Sequence, residues 1–248
     1  MRKYLLVSAL FAILFGFVNA TYLNIQGPTS GTLYDNGTIY LGQIGPGESF
    51  YVLASATTTN QSGATVNIGW DQLEAVTLPP GWSAQSSPLY ENPMKMKITT
   101  PPNAQNGTYT VVLRAVNVQN YSKLGNLTIN ARVNVTPNVF NMAVNPTSLG
   151  IGTGQPTNLY ITINNTGISD DPFYISAYGL PAWNVTDQVV ALHSTKNTFI
   201  YPVYVNEPGT YIFNLTASSS TSPLIHKSYQ IRLVARASLL NDYSAVGQ

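Results

Sequence analysis

The stretch "NGTYTVVLRA", Asn106 to Ala115, returns about a hundred residues later as "PGTYIFNLTA", Pro208 to Ala217. Both put Gly-Thr-Tyr first, then Leu four residues after the Tyr and Ala six after it. In each copy the apolar residues alternate: Val111, Leu113 and Ala115, then Phe213, Leu215 and Ala217. A period of two reads as a strand with one buried face.

The repeat extends upstream. "LPPGW", Leu78 to Trp82, precedes the first copy, and "LPAW", Leu180 to Trp183, precedes the second. Trp82 lies 27 residues before Tyr109, and Trp183 lies 28 before Tyr211. Order, spacing and residue type agree, so the chain reads as two copies of one domain. The same alternation runs through Leu159, Ile161 and Ile163, and through Tyr229, Ile231, Leu233 and Ala235. Turn clusters interrupt it, among them Gly45-Pro46-Gly47, Asn165-Thr166-Gly167 and Glu207-Pro208-Gly209. Asn36-Gly37, between "TLY" and "TIYL", carries the signal of a two-residue hairpin. No stretch of about ten residues after the leader shows a helical stripe.

Short strands with turns at this spacing predict an all-β chain of two tandem immunoglobulin-like β-sandwiches. The expected divisions are a signal peptide over 1–20, a first sandwich over 21–136, a second over 137–237 and a tail over 238–248. In such sandwiches a Tyr near the start of strand F turns its hydroxyl back to upstream backbone and pins the E–F corner. Tyr109 and Tyr211 stand at that position, so a structural role is expected for both. Trp82 and Trp183, each after a Leu-Pro stretch, are expected to plug the ends of their sandwiches.

The second copy also resembles a known family. "ITINNTG", "GLPAWNV" and "EPGTY" look like the immunoglobulin-like NPCBM-associated domain, whose pattern runs through an Asn-Thr-Gly turn, a Leu-Pro-x-x-Trp stretch and a Pro-x-Gly-x-Tyr corner. The resemblance covers most of 137–237 and less of the first copy, where no Asn-Thr-Gly turn appears. It implies an extracellular scaffold, often attached to glycosidases or prokaryotic surface proteins, with no catalytic residues to carry over.

Composition points to export. Charged residues are 8%, against about 25% in an ordinary soluble domain. Asn, Ser and Thr, at 24, 20 and 26 residues, supply the polar surface instead. A formal charge of +1 argues against nucleic-acid binding, which needs a basic stripe. No cysteine is present, which excludes disulfides, thiolate metal sites and Cys nucleophiles. The opening "MRKYLLVSALFAILFGFVNA" has a basic start, an apolar run and a Val-Asn-Ala end suited to cleavage after Ala20. A membrane connection is expected only through an uncleaved leader or through an anchor beyond Gln248.

Chemical candidates are sparse. His193 and His226 have no metal-ligand spacing. Asp170, Asp171 and Asp187 are the candidates for calcium between loops, but no Asp-x-Asp-x-Asp loop is written. Asp71 and Glu74 are too close in sequence to make a convincing glycosidase pair. No cofactor is implied. Tyr160, Tyr174, Tyr178, Tyr201 and Tyr204 are candidates for interface or sugar contact, against an ordinary role in cross-strand surface packing.

The Asn-x-Ser/Thr acceptor pattern marks Asn36, Asn60, Asn120, Asn126, Asn134, Asn164 and Asn184 as glycosylation candidates. Asn106 and Asn214 carry it too, but adjoin or enter strand F. In "GNLTINARVNV" the apolar set is Leu127, Ile129, Ala131, Val133 and Val135, so Asn126 and Asn134 face solvent and are the leading sites. The expectation is a non-enzymatic, exported surface glycoprotein acting as spacer, adhesion or envelope-assembly module. Its partners would be envelope proteins or surface polysaccharide. The alternative is a carbohydrate-binding accessory module of a glycosidase or polysaccharide system.

Overall fold

A computed structural model describes residues 22–59, 65–118, 126–181 and 183–237, and every helix-or-strand element among them is a strand. The leader over 1–20 and the tail over 238–248 lie outside the described residues. The first half holds β1 (Leu23–Gly27), β2 (Gly31–Leu33), β3 (Gly37–Ile44), β4 (Ser49–Ala54), β5 (Thr57–Thr59), β6 (Thr65–Gly69), β7 (Gln72–Thr77), β8 (Ser83–Gln85), β9 (Met94–Thr99), β10 (Gly107–Val116) and β11 (Asn126–Val135). The second holds β12 (Phe140–Asn145), β13 (Ser148–Gly152), β14 (Thr157–Asn165), β15 (Asp171–Leu180), β16 (Trp183–Ala191), β17 (Lys196–Val203), β18 (Gly209–Ser219) and β19 (His226–Arg236).

Each half builds two sheets. In the first the orders are β2-β1-β4-β9-β8 and β3-β11-β10-β7, with β5-β6 as a separate ribbon. In the second they are β12-β14-β17 and β13-β19-β18-β15-β16. Lettered as in an immunoglobulin sandwich, β1, β4, β9 and β8 are A, B, E and D, facing C, F and G in β7, β10 and β11. The second half repeats A, B, E as β12, β14, β17 and C, F, G as β15, β18, β19. In both, a strand between A and B runs parallel to G: β3 beside β11 and β13 beside β19. Both A strands also end at a cis X-Pro bond, Gly27-Pro28 and Asn145-Pro146.

Each pair of sheets closes over its own core. Phe50, Val52, Met96, Ile98, Val111, Leu113, Ile129 and Val133 fill the first. Phe140, Ile161, Ile163, Phe173, Ile175, Phe213, Leu215 and Ile231 fill the second. The alternation in β11 is complete: Leu127, Ile129, Ala131, Val133 and Val135 are buried, and the residues between them are not. At about 25 cal/mol per Å² of apolar area buried, these inward faces are the main stabilising term.

One sequence expectation is overturned. Asn36-Gly37 does not close a β-hairpin. Gly37 N–H donates to the Tyr34 carbonyl at 2.9 Å, so a turn is present, and Asn36 has φ of 60°. But β2 pairs with β1 and β3 pairs with β11, in different sheets. A positive φ serves an inter-sheet corner as well as a hairpin, and the dipeptide alone does not distinguish them.

Candidate functional site at the junction of the two sandwiches

The two corner tyrosines make the same bond. Tyr109 Oη donates to the Gln105 carbonyl and Tyr211 Oη to the Glu207 carbonyl, each at 2.9 Å and each four residues upstream. The tryptophans are buried near these corners, with different partners. Trp82 packs its ring 5.5 Å from that of Tyr109. Trp183 meets Phe213 edge-on at 5.7 Å and donates its indole N–H to the Pro202 carbonyl at 2.9 Å. A third tryptophan, not singled out from sequence, is buried as deeply: Trp70, which donates to the Tyr22 carbonyl at 3.2 Å.

The polar chemistry concentrates where the sandwiches meet. The Asn165-Thr166-Gly167 turn is the seat. Asn165 Nδ2 donates to the Ser169 and Ala191 carbonyls, and its Oδ1 accepts the Gly167 N–H at 2.9 Å, which holds the turn rigid. Onto that turn come four bonds across the junction, one of them from Gln43 Nε2 to the Thr166 carbonyl at 3.4 Å. Gln43 Nε2 donates to Thr166 Oγ1 at 3.1 Å, Ile168 N–H donates to the Gln43 carbonyl at 2.9 Å, and Ser169 Oγ donates to the Ser49 carbonyl at 2.8 Å. Two glycines permit the approach. Gly42 has φ of 129°, and a Cβ there would lie 2.5 Å from Ile168 Cγ2. A Cβ on Gly45 would overlap Ile225 Cδ1.

Behind these bonds lie two carboxyls, one from each sandwich. Glu48 and Asp171 are both 1% exposed and lie close enough for each carboxyl to act on the other. Glu48 Oε2 accepts the Gly45 N–H at 2.7 Å. Asp171 Oδ1 accepts from Ser219 Oγ at 2.9 Å and from Thr221 Oγ1 at 3.4 Å. Burial, then the charge of Asp171, push the Glu48 carboxyl up to about 8, with the Gly45 N–H pulling the other way. Burial raises Asp171 too, against the hydrogen bonds of Ser219, Glu48 and Thr221.

The calcium trio does not assemble. Asp171 is buried in the junction, Asp170 Oδ1 lies 2.6 Å from His193 Nδ1, and Asp187 Oδ2 accepts from Tyr201 Oη at 2.8 Å. Burial raises the Asp170 carboxyl, but the backbone and ring of His193 outweigh it, so the net shift is downward. Burial, with Asp187 beside it, raises the Tyr201 phenol. Among the described residues, no group of three or more His, Cys, Asp or Glu is placed to hold a metal ion. Asp71 accepts the Val118 N–H at 2.7 Å, and Glu74 pairs with Arg114 at 2.6 Å. His226 Nδ1 lies 2.9 Å from the Pro223 carbonyl.

The tyrosines divide between sheets. Tyr160 is on β14, whereas Tyr174 and Tyr178 are on β15 in the opposite sheet. All three are exposed, as is Tyr204, while Tyr201 packs on the core. Of the glycosylation candidates, Asn36 and Asn184 are exposed, and Asn126, Asn134 and Asn164 are half-buried. Asn126 Oδ1 is covered. Asn106 and Asn214 are exposed. Asn60 and Asn120 lie outside the described residues. Among the described residues no helix is long and apolar enough to cross a membrane.

No family model matches the chain, and no curated protein matches it. Among solved structures, a chimeric titin Z1Z2 carrying an exogenous decorin peptide aligns at 12% identity over 88% of this chain and 99% of its own, with a TM-score of 0.37. Domains 1–6 of the surface layer protein SbsC align at 15% identity over 89% of this chain and 28% of their own, TM-score 0.37. The D00-D0 domain of intimin aligns at 13% identity over 86% and 99%, TM-score 0.27. At these scores the likenesses carry no argument, and the immunoglobulin-like assignment rests on strand order and the parallel pairing to strand G.

Proposed function

We propose that the chain is a non-enzymatic, exported surface glycoprotein whose two sandwiches form a stiff spacer for adhesion or envelope assembly. The observation that carries this reading is the junction: four hydrogen bonds cross it, and glycines let Ile168 and Ile225 close on the first sandwich. Two domains joined by a flexible linker would not need such a seat. The leader supplies export, and the uncharged Asn/Ser/Thr surface fits an extracellular setting. Exposed acceptor sites at Asn36 and Asn184 fit glycan shielding of that weakly charged surface. Partners are envelope proteins or surface polysaccharide. The candidate acids and bases have structural tasks: Glu74 pairs with Arg114, and His193 with Asp170.

A second reading, a carbohydrate-binding accessory module, has its own observation. Tyr174 and Tyr178 stand exposed on the outer face of β15, beside Gln188 on β16 and Asn214 on β18. Flat aromatic rings among uncharged hydrogen-bonding side chains suit a neutral sugar surface. A pull-down of the chain from native envelope, run with a glycan array, tests both. Capture of envelope protein supports the spacer. Retention of one polysaccharide and no protein, lost in Tyr178→Ala, overturns it in favour of the accessory module.

A further inference from the structure

We propose that Glu48 and Asp171 form a proton-operated latch between the two sandwiches: one proton held between the two carboxyls closes the junction, and its loss sets two buried negative charges against each other. The argument begins with geometry. Each residue comes from a different sandwich, each is almost fully buried, the two carboxyls act on one another, and one oxygen of Asp171 is buried without a hydrogen-bond partner. Two carboxylates repel and cannot donate to one another, so a hydrogen bond can join this buried pair only when one of them carries a proton. The remaining oxygens agree. Glu48 Oε2 is taken by the Gly45 N–H, and Asp171 Oδ1 by Ser219 and Thr221. Asp171 Oδ2 is buried with no other donor. A proton shared between the two acids would satisfy it.

No cation on the surrounding elements neutralises the pair. The turn 45–48, the strand end 99–102 and the loop 219–225 carry no other charged group. Asp170 is the neighbour in sequence, and it is bound to His193. His226, at the end of the loop, is bound to the Pro223 carbonyl. The donor set does not suit calcium, which takes 6–8 oxygens, because two of the four carboxyl oxygens are already committed to N–H and O–H donors.

The sign follows from linkage. The unfolded or opened chain releases this proton near the ordinary carboxylate range, while the closed junction retains it to about 8. Between those values the closed state binds more protons, so its stability falls as pH rises. The latch is fully closed in acid and released above about 8. Its consequence rests on the spacer reading: a rod that is stiff in acid and hinged in alkali.

The test is thermal unfolding and small-angle X-ray scattering of the chain from pH 4.5 to pH 9, for wild type, Glu48→Gln, Asp171→Asn and His193→Gln. Wild type should lose on the order of 5 °C or more in Tm across the range, and its scattering envelope should loosen. Glu48→Gln donates an amide in place of the proton and should flatten both responses, whereas His193→Gln should leave them intact. Equal pH dependence in wild type and Glu48→Gln overturns the latch. So does a rise in Tm with millimolar calcium that Glu48→Gln abolishes, which would make the pair a metal site. Should the variants fail to fold, infrared spectroscopy of wild type decides: the carbonyl stretch of a protonated buried carboxyl must be present at pH 6.5. A junction loose at every pH would instead sink the spacer reading and leave the proton itself to the infrared measurement.

Discussion

The two sandwiches share their corners but part at the tryptophan. In the first, Trp82 leads into β8, which pairs with β9 and joins the A-B-E-D sheet. In the second, Trp183 leads into β16, which pairs with β15 and extends the C-F-G sheet. The turn decides which. Leu180 pairs directly with Trp183, so "LPAW" closes a two-residue hairpin and the chain returns along the strand it left. "LPPGW" has one residue more and two prolines, which have no N–H to pair back. Trp82 N–H instead closes a turn onto the Pro79 carbonyl at 3.1 Å, with Gly81 at φ of 80°, and the chain crosses to the other sheet. One inserted residue in a shared motif thus changes sheet membership while the tryptophan stays buried at the same end.

The largest effect should come from the tryptophans themselves. Trp183→Ala should cost about 3–5 kcal/mol, plus about 1 kcal/mol for the Pro202 carbonyl left without its donor. Trp82→Ala should fall in the same range without that addition. Denaturant unfolding of the two variants measures the gap; equal losses would mean that the Pro202 bond contributes nothing.

Gly42→Ala comes next. It forces a side chain into a positive φ, for about 1–3 kcal/mol, and drives a methyl into Ile168. The effect should appear as a loosened junction with both cores intact, visible as increased amide exchange at Ile168. Exchange rising instead throughout the first core would place Gly42 in core packing.

Tyr109→Phe and Tyr211→Phe should each cost about 1 kcal/mol, and by equal amounts, since the two bonds have the same length and the same four-residue reach. Unchanged midpoints in both would remove the corner role; a change in only one would show the copies have diverged there.

Glycan occupancy should perturb stability least. Peptide mass spectrometry of native material should find Asn36 and Asn184 modified. It should also find Asn134, whose strand partner on β3 is Gln43 of the junction, modified to a lower degree than either. Bare asparagine at all three would end the glycoprotein reading.

The all-β class was readable because alternation and turn chemistry are local. In β11 and β18 each buried position follows from its neighbours two residues away. Sheet membership is not local. Period two says which residues face inward but not which sheet carries them, and so Tyr160 and Tyr174 read as companions although they lie on opposite sheets. Asn36-Gly37 carries a hairpin signal for the same reason, although β2 and β3 lie in different sheets. The junction was less legible still. Glu48 and Asp171 are far apart in sequence, and "PGES" and "SDDP" each look like ordinary turns. Only packing of the second sandwich on the first brings the two acids together.

The central claim is that two copies of one sandwich are held as a stiff pair, and NMR alignment of the chain at pH 5 tests it most directly. Residual dipolar couplings from β1–β11 and from β12–β19 should fit one alignment tensor, with relaxation giving one rotational correlation time for both. Two tensors of different magnitude, or two correlation times, would contradict it and make the pair beads on a flexible string.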